Sequence, residues 1–369
     1  MSSFAEGRPT AYSEFIANNY VSTWKTTIGA GDVDACLQTI TDIAAFSSQK
    51  QMWAEPYILQ VLPDLLECIS HHKLGKSATE CCQTILSNLN VQSVKTVIEL
   101  IYTSFGSMKW QTKCGGLVLL ASLATQNRPT EGLSINVTDV VKQNLYHIIL
   151  KLIEVANDVK REVKLKTREA FHELCSTIDN VDIMKIIPDV IQAYMEPVKH
   201  TESALNKLVA TSFINDVDSS TLALLVPILT KGMRERKVAS KRCSALVIGN
   251  MCKLVNDPRT AALFYPVLKP VLERGIEEIA VEEVRNVCNT SLETLQRVSS
   301  EAATISDAVM TKDELIAYIK PRVEKHTQDA VIIQHMAACC EELVQTNTRS
   351  PEQWKQCVAP YMQCFIADE

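Results

Sequence analysis

The chain has 369 residues, more than one ordinary globular core holds, so two domains or a repeat array is expected. Hydrophobic residues make up 46% and charged residues 22%, which excludes a disordered chain, and 6% aromatics disfavours a β-sandwich or barrel. The formal net charge of -6 excludes a bulk polycation, so any nucleic-acid contact must come from local basic patches.

The chain starts on a polar stretch, MSSFAEGRPT, with no apolar signal segment. Residues 10–50 read as one helix pair, with Phe15, Ile16, Trp24, Ile40, Ile43 and Phe46 as core candidates, and 1–50 is taken as an N-terminal helical cap. From there apolar residues recur with a period of 3.6, not 2. Ile58, Val61, Leu62, Leu65, Leu66 and Ile69 form one helical face, and Ile186, Ile187, Val190, Ile191 and Tyr194 another. Leu224, Leu225, Ile228 and Leu229, then Phe264, Val267, Leu268, Val271 and Leu272, repeat the pattern.

Pro188, Pro227 and Pro266 follow one another at 39-residue intervals, each near the start or a kink of a helix. A turn and a second helix follow, as in Lys237–Val255 and Ala280–Val298. Two helices per unit at a period near 40 is the pattern of HEAT and armadillo repeats. We therefore expect an all-α, right-handed superhelical solenoid over 51–299. Units fall at about 54–90, 91–126, 138–179, 183–216, 220–256 and 260–299. The polar stretch Ser299–Ser306 reads as a linker, placed at 300–306, and 307–369 as a partial helical bundle.

Signals for chemistry are weak. The seven histidines form no H-E-x-x-H, and no Ser–His–Asp or Cys–His grouping stands out. Gly75-Lys76-Ser77 resembles the tail of a phosphate-binding loop but lacks the earlier glycine and a preceding strand. The 13 cysteines contain no C-x-x-C and read as small buried hydrophobes of a reducing compartment. The apolar runs Gly115–Ala121 and Leu222–Leu229 are far shorter than a membrane span. No catalytic residue, metal, cofactor, small-molecule substrate or membrane is expected, and the location expected is cytoplasmic.

Charge, however, is uneven. Lys231, Arg234, Arg236, Lys237, Lys241 and Arg242 stand against Glu235 alone. Lys160, Arg161, Lys164, Lys166 and Arg168 stand against Glu162 and Glu169. Both clusters fall at the turn between paired helices, and equivalent turns of a solenoid share one edge. An aligned basic edge suits phosphate oxygens. Solvated turns of no function are the competing reading.

The stretch Leu225–Pro258, above all Asn250–Pro258 (NMCKLVNDP), resembles the N-terminal HEAT domain of the fungal translation elongation factor 3 family. Glu55–Pro63, Lys109–Lys113, Val181–Ile191 and Ala210–Val217 are similar too. Glu352–Phe365, with Gln353-Trp354 and Pro360-Tyr361-Met362, resembles the four-helix bundle that follows that array. The likeness spans about 50–366 and is shared with the giant coactivator of the amino-acid-starvation kinase. It implies a cytosolic ribosome-binding ATPase whose HEAT domain contacts the head of the small subunit and ribosomal RNA. The two ABC cassettes of that family have no counterpart here, since no Walker A, ABC signature or chromodomain-like insertion occurs. The resemblance therefore implies docking without the motor: Lys160, Arg161, Lys164, Arg234, Arg236, Lys237, Lys241 and Arg242 would meet rRNA or ribosomal proteins. The alternatives are a scaffold for a separate ATPase or kinase partner, and the N-terminal fragment of a full ATPase.

Overall fold

A computed structural model describes residues 19–48, 54–126, 136–255 and 257–305, with Ala317, Val331 and 333–338. Among these residues the chain is all helical, with no strand. It divides into two compact units: residues 1–141 with 309–369, and 142–308. This division falls inside the array expected over 51–299, and the expected bundle at 307–369 lies largely outside the described residues.

In the first unit α1 (Tyr20–Ala30) ends at Gly31, whose φ of 78° lies in the left-handed region that glycine adopts without strain. The chain then reverses into α2 (Val33–Ser48). Trp24 packs edge-on against Phe46, and Ile40 and Ile43 are fully buried. α3 (Glu55–Leu59) and α4 (Leu62–Cys68) precede α5 (Gly75–Asn88). α6 (Val94–Phe105) pairs with α7 (Trp110–Ala124). Links between neighbouring repeats join residues about one period apart: Lys25 to Asp64 at 3.8 Å, and Lys109 to Glu67 at 3.5 Å.

α8 (Val137–Val155) carries the boundary between the units, and α9 (Arg161–Cys175) follows it in the chain. In the second unit a short α10 (Val181–Met184) leads into α11 (Ile187–Met195), which pairs with α12 (Pro197–Ala210). α13 (Ser219–Arg234) pairs with α14 (Val238–Lys253), and α15 (Pro258–Glu278) with α16 (Glu282–Ile305). Pro188 sits in the first turn of α11, whereas Pro227 and Pro266 lie inside α13 and α15. An interior proline removes one helical hydrogen bond, so these helices survive on packing. α13 is buried nearly all round, with Leu222, Leu224, Leu225, Val226, Ile228 and Leu229 at or near zero exposure. Each such side chain contributes roughly 1.5–3 kcal/mol of burial. One turn before Pro227 the Leu224 carbonyl also accepts a hydrogen bond from the Tyr194 hydroxyl of α11.

The expected linker at 300–306 is corrected: α16 runs through Ile305. The serines there are followed by helix-forming Glu301, Ala302 and Ala303. Arg297 bridges Glu301 at 2.8 Å one turn on, and Val298 and Ala302 are buried.

Helices of successive repeats approach closely at small residues. Ser291 of α16 donates to the Ala245 carbonyl of α14 at 2.7 Å, and a Cβ on Gly249 would lie 2.6 Å from Ser291 Oγ. Gly249→Val should therefore destabilise the chain by about 1–3 kcal/mol, read as a lower denaturant midpoint. Most cysteines of the described residues are buried. Burial pushes the thiols of Cys81, Cys175 and Cys252 up to about 12. An unfolded thiol titrates near ~8.5, so between that pH and 12 the unfolded chain holds fewer protons than the folded one. Stability should thus be level below about pH 8.5 and fall as pH rises toward 12, which melting curves in reducing buffer would record.

Candidate functional site

The turns that join the two helices of a repeat are built alike. The residue before the second helix is extended and carries a lysine: Lys109 before α7 (ψ 117°), Lys160 before α9 (ψ 128°) and Lys237 before α14 (ψ 123°). Its carbonyl opens the helix, as Lys160 O does for Lys164 N–H at 3.2 Å. Upstream, the Asp158 carboxylate accepts the Lys160 N–H at 2.8 Å and fixes the turn.

Local helix chemistry disfavours this choice. A cap position prefers Ser, Thr, Asp or Asn, because their oxygens accept the first free N–H groups. Lysine offers no acceptor, and none of these three positions makes a side-chain cap bond. The N-terminus is also the positive pole of the helix, where a cation costs about 0.3–1 kcal/mol. α9 nonetheless begins with Lys160, Arg161 and Lys164, and α14 with Lys237, Lys241 and Arg242. Positions that break a local rule are where function is to be sought.

The eight basic residues singled out by the sequence all belong to the second unit. Lys160, Arg161, Lys164, Arg234, Arg236 and Lys237 are exposed, and Lys241 and Arg242 half-buried. Two are engaged by acids of neighbouring repeats: Lys237 Nζ lies 2.6 Å from Glu202 of α12, and Arg242 lies 2.9 Å from Glu283 of α16. Among the described residues the side chains of the other six make no ion pair.

These two contacts also order the turns, since they set the start of α14 between the starts of α12 and α16. The α11–α12 turn carries Lys199, but Glu196 neutralises it at 2.7 Å. This pairing, helped by Arg168 of α9, holds the Glu196 carboxyl below its usual value. The α15–α16 turn is acidic, with exposed Glu282 and Glu283. Along this edge the turns therefore read basic, neutral, basic, acidic.

Other chemistry is sparse. Gly75 is required by packing: a Cβ there would meet the Ile69 carbonyl oxygen at 2.6 Å. One grouping escaped the sequence reading. Glu55, Ser93 and His335 are buried together, across up to 280 positions of chain. Ser93 Oγ lies 3.2 Å from His335 Nε2 and donates to Glu55, while Glu55 Oε1 lies 3.7 Å from the same Nε2. Glu55 also accepts from the Asn90 backbone and side-chain N–H groups at 3.0 and 2.7 Å, so the arrangement is a buried structural tie. Among the described residues no three His, Cys, Asp or Glu side chains are placed to hold a metal ion, and no helix is long and apolar enough to cross a membrane.

If Lys160 is there for a partner and not for the fold, Lys160→Asp should raise stability by about 1 kcal/mol, by supplying both a cap acceptor and the favoured charge. Chemical denaturation checks this; a loss of stability would show that Lys160 holds the fold together.

Two family models match the sequence. Residues 11–171 match the EF3 N-terminal HEAT repeat, and 200–306 the elongation factor 3/GNC1 HEAT repeat. Among similar proteins, elongation factor 3 of Gonapodya prolifera is 32% identical over 85% of this chain and 29% of its own length. Elongation factor 3 of Pneumocystis carinii is 31% identical over 85% of this chain and 30% of its own. Elongation factor 3A of Saccharomyces cerevisiae is 28% identical over 90% and 32%. The chain thus spans only about three-tenths of the length of these relatives.

Proposed function

The chain belongs to the elongation factor 3 HEAT-repeat family, and we propose that it is a non-catalytic docking module that binds the small ribosomal subunit through its basic inter-helix turns. The observation that carries this reading is the set of cations gathered at the starts of α9 and α14 and at the end of α13. Lys160, Arg161, Lys164, Arg234, Arg236 and Lys241 have no acid paired with them among the described residues. Together with Lys237 and Arg242 they offer an anion side-chain charge, to which the N-terminal poles of α9 and α14 add. Ribosomal RNA phosphates and acidic ribosomal-protein segments are the anions available on such a particle. The name shared by the relatives, elongation factor, supports a place in translation elongation. ATP hydrolysis would come from cassettes outside these 369 residues.

The two engaged cations fit the same reading. Lys237–Glu202 and Arg242–Glu283 are exposed pairs, each worth ~1 kcal/mol or less, so a stronger anionic partner can displace either acid. Purified chain should pellet with small subunits at low salt and be released as salt screens the contact, with a Debye length of about 10 Å at 0.1 M. Reversal of Arg234, Arg236 and Lys237 to Glu should weaken pelleting at least about tenfold while melting stays near wild type. Undiminished pelleting of the reversed variant at low salt would contradict the reading.

A further inference from the structure

We infer that the partner docked along these turns is an extended acidic protein segment carrying apolar side chains, not a nucleic-acid backbone. The inference rests on the docking reading and narrows it to one class of macromolecule.

It starts from an apolar residue that recurs at every one of these turns. Val159 is 92% exposed and Val198 99%, while Val238 and Val281 are exposed to a lesser degree. They precede or open α9, α12, α14 and α16. Met108, fully exposed before α7, holds the same place in the first unit. A single exposed apolar side chain needs no explanation. Recurrence within two residues of each of these helix starts does, because a β-branched residue gains nothing from solvent and is a poor helix starter.

Charge then discriminates between partners. A phosphate track needs positive charge at every step, since the backbone is charged at every nucleotide. The middle turn breaks that track: it carries two acids, Glu196 and Glu202, against Lys199, with Glu196 on Lys199 at 2.7 Å and Glu202 on Lys237 at 2.6 Å, so a phosphate there would face carboxylates. Val198 stands out of this neutral patch. Beside it the face of α12 forms an open depression of about 470 Å³ that includes Ser203 and Asn206, side chains suited to hydrogen bonds with a peptide backbone. The acidic α15–α16 turn closes the site at one end.

Spacing sets the form of the occupant. Packed helices lie about 8–10 Å apart, and an extended chain advances about 3.3 Å per residue. One repeat therefore matches about three residues of an extended segment. The segment that fits has acidic residues at both ends, over the α8–α9 and α13–α14 turns, and an apolar residue between them on Val198.

The test uses the full chain and purified small ribosomal subunits. Val159→Ser with Val198→Ser removes apolar surface and no charge, and both sites are too exposed to alter folding. This variant should bind about tenfold more weakly at every salt concentration. A photoreactive benzoylphenylalanine in place of Val198 should yield an adduct that protease destroys and ribonuclease does not. Wild-type affinity of the serine variant, an adduct with RNA, or a bound chain giving no adduct would each overturn the inference while leaving docking intact. A wild-type chain that does not bind at low salt would overturn the docking reading itself.

Discussion

A pair of helices from this chain presents more apolar surface than the two can cover between them. α13 makes the point: it is buried nearly all round, and α14 alone cannot bury it. The remainder is covered by α11 and α12 before it and α15 after it, through such contacts as the Tyr194 hydroxyl on the Leu224 carbonyl. Stacking is thus obligatory, and much follows from it. Glycines and serines stand where successive helices meet, as at Gly249 and Ser291. Polar ties recur at one repeat length, as between Glu202 and Lys237. The turns are freed from packing, and their side chains become available for other work.

Those turns are where the chain departs from what helices prefer. Lysine replaces a capping residue before α7, α9 and α14, and further cations follow in α9 and α14. Each departure costs a fraction of a kcal/mol to about one. A stacked array with this much buried apolar surface tolerates such losses, whereas an isolated helix would not. Stability held in the stack therefore permits such an edge.

The sequence disclosed the fold well because its signal is periodic. Prolines at 39-residue intervals and a 3.6-residue apolar rhythm identify helix pairs with no further help. The basic clusters were legible for the same reason, as neighbours in the chain. What stayed hidden depends on residues far apart in sequence. The pairing of Lys237 with Glu202 spans 35 positions, and that of Glu55 with His335 spans 280. No local pattern announces either. The serine-rich stretch after Val298 was misread because serine marks breaks in exposed chain, yet here one turn buried at Val298 and Ala302 carries α16 onward. The exposure of Val198 was invisible too, since a valine ordinarily reads as core.

The edge formed by the turns is more specific than a basic surface. It alternates charge with exposed valine and ends against acidic residues, which gives it both a length and a direction. A structure of the chain bound to small ribosomal subunits, determined by electron cryomicroscopy, tests this account most directly. It should place the α8–α9, α11–α12 and α13–α14 turns against the particle, with Val198 inside the contact. A bound chain whose turns face solvent, docked by another surface, would contradict the account.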